Sequence, residues 1–383
     1  MNFKTVIELK QHTPLIHFQA NESGATLRAS EVKPKLDKFI IERLNGKVPE
    51  NWLVGFGVKA DNSKLPKALN YKLRFEYSEK VEDIDPPERG IYYGNMGKDS
   101  IKARFVFCNT CTMTLICFNS ELTEVILHNI CDFFIVTNFG RMQNKGFGSF
   151  TVQKINDYPS AKPDNIPQIL CRKYNSRACY GFSVNDNDHF KRTTFDKIKI
   201  LYSVMKSGCR INDDFEGSFL FKYLENINNE STCIRPWKYS RRINQKTAND
   251  HRYVRCLLGM GEIIRFKKEG FTVQISNTRS NKDNLRIERL PSPVFFKIIE
   301  NNVYIIGKNI NQRILSNEEI QTFKFFNKKT NEFVSMKTPD NFDTDNFLEA
   351  FFNNYFPVSK NNERYSRVFH GYNNFFAEER NDG

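Results

Sequence analysis

No apolar run in this chain approaches the roughly 18–20 residues that span a membrane. The opening Met1-Asn-Phe-Lys-Thr-Val-Ile-Glu-Leu-Lys10 holds no signal-peptide core. Both absences predict a cytoplasmic protein with no membrane partner. The nine cysteines are an odd number, scattered through apolar segments such as Phe105–Cys117, which suits reduced, buried thiols better than a disulfide framework. Cys108 and Cys111 form one Cys-x-x-Cys with Cys117, His128 and Cys131 nearby. A second such pair is missing and strand-like alternation turns some of these thiols into a core, so no metal is expected. The pair does not open a helix either, which argues against a thioredoxin-type redox motif. No cofactor is expected.

What is present is length, positive charge and aromatic side chains. At 383 residues the chain can build two domains with proper cores. A net charge of +13 and a pI near 9.2 favour a polyanionic partner, either nucleic acid or an acidic membrane surface. The 35 Phe and 15 Tyr do not by themselves mark a stacking surface.

The most informative stretch is Gly140-Arg-Met-Gln-Asn-Lys-Gly-Phe-Gly148, followed by Ser149-Phe-Thr-Val152. Its glycines permit positive φ and close backbone approach, Arg141 and Lys145 supply charge, and Asn144 adds a polar amide. Phe147 stacks on a base or anchors the loop, and the core is its favoured place. Neither nucleotide fingerprint fits, because both open a helix and this loop opens a strand. The plain alternative is a helix-to-strand turn with Gly140 just past the helix end.

Alternation predicts a first strand over Thr5 to Leu9, extended by His12 to Phe18. Ser30 is expected to cap a helix carrying Val32, Leu36, Phe39, Ile40 and Leu44, with Pro34 in its first turn. Strands follow over Asn70 to Tyr77 and Ile101 to Phe107, separated by an acidic, proline-bearing loop from Glu76 to Glu88. Ser120 is expected to cap a second helix ending at Gly140, before a strand from Phe147 to Ile155. The order β-α-β-β-α-β is that of the ferredoxin-like, RRM-like unit. A link over Asp157 to Pro167 leads to a second unit, with a helix over Phe195 to Met205, strands over Leu285 to Glu288, Val294 to Ile299 and Val303 to Ile306, and a closing helix over Phe347 to Tyr355.

The expected fold is therefore α+β: two ferredoxin-like βαββαβ domains, 1–160 and 168–359, with a helical, basic insertion in the second and a polar, weakly structured tail over 360–383. Within that insertion Arg235, Lys238, Arg241, Arg242, Lys246, Arg252 and Arg255 face the single acid Asp250. Trp237 and Tyr239 are interleaved, as in many single-strand binders. A solvated basic face with a core Trp237 is the alternative.

Several of these pieces resemble the RAMP superfamily of type III CRISPR effector subunits, and most of all the subunit of Cmr-type complexes that caps the assembly toward the guide RNA 3′ end. They are Thr13-Pro-Leu15 with Leu27-Arg-Ala-Ser-Glu-Val-Lys-Pro-Lys-Leu36, the loop Gly140 to Phe150 with its Gly-Phe-Gly, Arg252 to Gly259, and Ile287 to Lys297. The resemblance implies a non-catalytic RNA-binding subunit of an RNA-guided effector complex in antiviral defence, with guide RNA, target RNA and other RAMP subunits as partners. Pro34 stands where relatives usually carry glycine at the helix entry. The target-cutting subunits use an Asp in the loop after the first strand, whereas Gln19 to Thr26 offers only Glu22. Besides the loop, Arg28, Lys33, Lys35, Arg172, Arg177, Lys206, Arg210, Lys238, Arg241 and Arg242 are candidate RNA contacts. The enzymatic alternative is a metal-independent RAMP endoribonuclease processing CRISPR repeat RNA, with His12 or His17 as general base.

Overall fold

The computed structural model describes residues 3–16, 27–56, 68–77, 81–84, 105–108, 110–160, 165–188, 190–211, 214–260, 263–266, 270–278, 290–310, 315, 322–361 and 372–381. His17, the Gln19–Thr26 loop with Glu22, and the strand expected over Leu285 to Glu288 lie outside them.

The first half runs β1 (Lys4–Gln11), β2 (Leu15–Ile16), α1 (Ala29–Arg43), β3 (Lys72–Tyr77), β4 (Val81–Ile84), β5 (Phe105–Cys108), β6 (Cys111–Ile116), α2 (Ser120–Val136), β7 (Phe150–Ile155) and β8 (Tyr158–Pro159). Its main sheet has the order β3-β6-β1-β7-β8 with antiparallel neighbours. Strand β1 buries Thr5, Ile7, Leu9 and Gln11 and turns Lys4, Val6, Glu8 and Lys10 the other way, the period-2 pattern of a sheet covered on one face. Helix α2 packs Leu122, Ile126, Ile130, Phe133 and Phe134 into the core. Burial of each such side chain contributes about 1.5–3 kcal/mol.

Five local expectations change. Ser30 is not the cap of α1 but its second residue; Arg28 holds the cap position without a side-chain capping bond, and its carbonyl accepts from the Glu31 and Val32 N–H at 3.0 Å each. Pro34 therefore falls inside the helix, past the first turn, where it and Ser30 are both exposed. Helix α2 is capped by Asn119, whose Oδ1 accepts from the Leu122 N–H at 2.9 Å, not by Ser120. It ends at Val136, because Thr137 is already extended (φ −120°, ψ 135°), so Gly140 belongs to the loop rather than to a helix end. The acidic segment after Glu76 is not all loop: Val81–Ile84 pairs with Phe105–Cys108.

The second half runs α3 (Ile166–Tyr174), β9 (Ala178–Ser183), α4 (Arg192–Lys206), β10 (Cys209–Ile211), β11 (Asp214–Glu216), α5 (Phe219–Tyr223), α6 (Glu230–Ile234), α7 (Gln245–Asn249), β12 (Ile263–Phe266), β13 (Phe271–Thr278), β14 (Val294–Ile299), β15 (Asn302–Gly307), β16 (Thr322–Asn327), β17 (Phe333–Lys337), α8 (Thr344–Glu349), α9 (Phe356–Asn361) and β18 (Asn373–Glu379). A π-helical stretch, Ala350–Tyr355, joins α8 to α9. The expected link up to Pro167 is shorter than predicted, since Pro167 lies in the first turn of α3, where its missing N–H costs nothing.

One sheet has the order β14-β15-β9-β18 and another β12-β13-β16-β17. The polar tail is a correction too. Strand β18 pairs with β9 and seats Phe376 where a Cβ on Gly181 would come within 2.2 Å of its ring. Its apolar residues are few, so composition hid it, but Tyr372 is 1% exposed and packs against Phe182 and Phe356.

Candidate nucleic-acid interface

The glycine loop is a folded plug. Gly140, Gly146 and Gly148 have φ of 76°, 91° and 64°. A Cβ on Gly148 would stand 2.0 Å from the Phe139 carbonyl oxygen, and one on Gly140 2.5 Å from that of Ile16. The glycines are thus required by the protein's own backbone. The N–H groups are also used internally: Gly140 donates to Glu31 Oε1 (2.7 Å), Arg141 to Ile16 O (2.7 Å), Lys145 to Met142 O (2.8 Å), Gly148 to Pro14 O (2.9 Å) and Ser149 to Thr13 Oγ1 (2.9 Å). These donors do not face an RNA backbone.

What the loop meets is the second half. The Phe296 N–H donates to Asn144 O (3.1 Å), Asn144 Nδ2 to Ser292 O (3.0 Å) and Ser149 Oγ to Ile298 O (2.5 Å). Phe147 is fully buried and stacked on Phe195 of α4, as its apolar character favoured. Lys145 is 7% exposed, and its Nζ, with no hydrogen-bond partner, lies 2.8 Å from the centre of the Tyr202 ring. Burial, with Lys206 adding to it, pulls its ammonium well below the usual lysine value. Lys145 is therefore enclosed, where the sequence had it reaching for phosphate. Asn144, half-buried, is likewise engaged by Lys308, whose Nζ lies 3.1 Å from its Oδ1.

Lys297 is the residue sequence reasoning missed. It is fully buried in β14, and its Nζ donates to the carbonyls of Phe134 (2.7 Å), Thr137 (2.9 Å) and Phe150 (3.3 Å) and to Asn138 Oδ1 (3.2 Å). Burial drags its ammonium down, and the four converging oxygens oppose that pull. A lysine inside the apolar run Val294-Phe-Phe-Lys-Ile-Ile299 was the signal.

His12 is 5% exposed and both ring nitrogens are occupied. Nδ1 accepts from the Glu300 N–H at 3.1 Å, which places the proton on Nε2, facing Thr151 Oγ1 at 2.8 Å. Burial and then Lys297 lower its pKa to about 3. It is a structural histidine with no access to a ribose hydroxyl, contrary to the general-base reading. Cys108 and Cys111 are buried in the N-terminal core, with Cys108 Sγ 3.2 Å from Gln11 Oε1. Among the described residues no group of three His, Cys, Asp or Glu could hold a metal, and no helix is long and apolar enough to cross a membrane.

The remaining candidate cations divide by environment. Lys33 is tied to Asp37 (2.8 Å) and Leu69 O, and Lys35 to Glu31 (2.9 Å), Asn138 O and Gln143 Oε1. Arg177 reaches Asp343, Asp345 and Glu349 at 3.7–3.9 Å, an acidic setting that screens it from phosphate. Lys206 donates to the Gly259 carbonyl, and burial, with Arg255 next, brings it down to about 8. Arg210 lies in β10, while Arg28 and Arg141 are half-buried beside α1 and the loop. Arg172 is exposed on α3. On the insertion, Trp237 is core, 2% exposed with Nε1 donating to Glu332 at 3.0 Å. Tyr239, in contrast, is 64% exposed with the Arg241 guanidinium 5.9 Å from its ring centre. Arg242 is 95% exposed with Glu332 at 3.4 Å, and Lys238 is half-buried.

Among solved structures, the apo crystal form of Cmr1 from Pyrococcus furiosus is similar at 9% identity with a TM-score of 0.40, over 81% of this chain and 90% of that one. A chain of the type III-B Cmr-beta complex bound to cognate target RNA is similar at 13% identity with a TM-score of 0.27, over 41% and 61%. No curated protein matches. Residues 2–209 match the family model of the Cmr1 N-terminal domain and residues 215–377 that of a Cmr1 C-terminal domain. Two family models spanning both halves leave one assignment: the chain belongs to the Cmr1 family and is a Cmr1-type RAMP subunit of a type III CRISPR complex.

Proposed function

We propose that this chain is a non-catalytic RNA-binding subunit of its effector complex, contacting guide or target RNA beside other RAMP subunits in antiviral defence. The sheet orders support the reading of two ferredoxin-like units. In each, the β-α-β-β-α-β succession lays its strands in the order second, third, first, fourth: β3-β6-β1-β7 and β14-β15-β9-β18. The second unit then runs past 359 to include β18, and carries the basic helical insertion between α4 and β14.

The observation that carries the RNA reading is the exposed Tyr239–Arg241–Arg242 surface of that insertion, where a ring face and two guanidinium groups meet solvent. The occupied ring nitrogens of His12 support a subunit that holds RNA without cutting it.

The test is incubation of the purified chain with fluorescent guide RNA and repeat RNA in EDTA. Retention without cleavage is the expected result, and Arg241→Ala with Arg242→Ala should lower the salt slope of log K by about 1.4, two contacts at about 0.7 each. Cleavage of the repeat would favour the endoribonuclease, and an unchanged slope would sink the assignment to this surface.

A further inference from the structure

A second aromatic surface lies at the far end of the N-terminal sheet. Phe118 is 77% exposed and Phe3 44% exposed, with ring centres 5.0 Å apart and planes tilted by 49°. They are held together by the strand ladder, since the Cys117 N–H donates to Phe3 O at 3.0 Å. Cys117 points inward, 4% exposed, and Phe118 follows it just past the end of β6, two residues beyond Ile116. Register then sets the neighbours: Ile116 is paired with Lys4 on one side and Lys72 on the other, and directly opposed residues share a face. Both lysines are exposed. The next row, Val6–Thr114–Arg74, adds a third cation. Of the acids, Glu121 lies three residues beyond Phe118 in the first turn of α2, and in the row after Arg74 Glu8 pairs with Lys154 at 3.1 Å while Glu76 pairs with Arg74 at 2.9 Å.

We propose that Phe118, backed by Phe3 and flanked by Lys4 and Lys72, is a stacking platform for a base of single-stranded RNA. The inference rests on the RNA-binding reading above but uses a different surface, on the other half of the chain. Charge decides the occupant. An apolar protein partner gains from the rings but must desolvate the Lys4 and Lys72 ammonium groups, whereas a nucleotide offers a π-face to the ring and a phosphate to those lysines, which flank Ile116 two residues back along the chain. The rings are offered by exposed positions whose loss leaves the core intact, so variants there fold.

The experiment is fluorescence anisotropy of labelled single-stranded RNA with the full chain across a salt series. Phe118→Ala and Phe118→Leu should both weaken binding, by about 5- to 150-fold, because neither has a π-face; Phe118→Trp should retain it. Lys72→Ala should reduce the salt slope by about 0.7. Binding of Phe118→Ala within about twofold of the parent overturns the platform, as does full affinity of Phe118→Leu. So does loss of association with the other effector subunits at unchanged RNA affinity, which would make this face a protein contact. Failure of the parent chain to bind RNA would bring down the RNA-binding reading itself; binding sensitive to Arg241→Ala with Arg242→Ala but indifferent to Phe118 would bring down the platform alone.

Discussion

The ring of Phe147 lies flat on that of Phe195, with centroids 3.9 Å apart and planes 9° from parallel. One ring belongs to the glycine loop of the first half and the other to α4 of the second. The loop with the strongest phosphate-binding composition is therefore the fastener between the two halves, and the consequences differ from those of an RNA cradle.

Phe147→Ala should destabilise the chain by about 3–5 kcal/mol, the usual cost of emptying a buried Phe site. Urea unfolding measures it. A variant of parental stability with weakened RNA binding would return the ring to the surface.

Lys145→Met should be neutral or stabilising by about 1–3 kcal/mol, because it replaces a buried amine without a hydrogen-bond partner by an apolar chain of similar length. Its RNA affinity should match the parent in the anisotropy assay. A marked loss of affinity at unchanged stability would contradict the enclosed position.

Lys297→Met should cost about 3–5 kcal/mol, since it strands the oxygens of Phe134, Thr137, Asn138 and Phe150 in the interior. The opposite signs expected at Lys145 and Lys297 form an internal control: two buried lysines at one seam, one without a hydrogen-bond partner and one fully bonded.

Acidification should weaken the fold through His12. Its folded pKa of about 3 lies below the unfolded value of 6.5, so the unfolded chain binds more protons between those limits. This contribution is complete above pH 6.5 and declines as pH falls toward 3, with a slope of at most about 1.4 kcal/mol per pH unit. Chemical denaturation at pH 7 and pH 5 should show a shallower dependence in His12→Gln. An identical dependence would assign the acid lability to other groups.

Gly181→Ala should unseat β18, because the added Cβ would fall 2.2 Å from Phe376 and 2.3 Å from the Val303 carbonyl oxygen. Limited proteolysis should then clip the C-terminal segment faster than in the parent. Unchanged protection would mean that β18 is not held through Phe376.

Much of the framework was legible from pattern. The stripe Val32, Leu36, Phe39, Ile40 and the alternation around Ile7 are local signals, and the structure uses them as read. Boundaries were read less well where two polar residues compete for a cap, as with Asn119 beside Ser120. Strand β18 escaped because an edge strand exposed along most of its length, Asn373-Asn-Phe-Phe-Ala-Glu-Glu379, reads like a tail. Within the candidate site, Trp237 and Tyr239 are two residues apart and alike in sequence context, yet one is core and the other solvent-facing.

The amino-acid sequence by itself determined the excess positive charge, the main helical stripes and the family, because each is written in spacing, composition or a short motif. Only the tertiary structure decided which way the loop residues face. Glycine, lysine and phenylalanine in that order suit a phosphate or a neighbouring domain equally well. The partner that settles the matter, Phe296 to Ile298 of β14, lies about 150 residues further along the chain, beyond the reach of any local pattern.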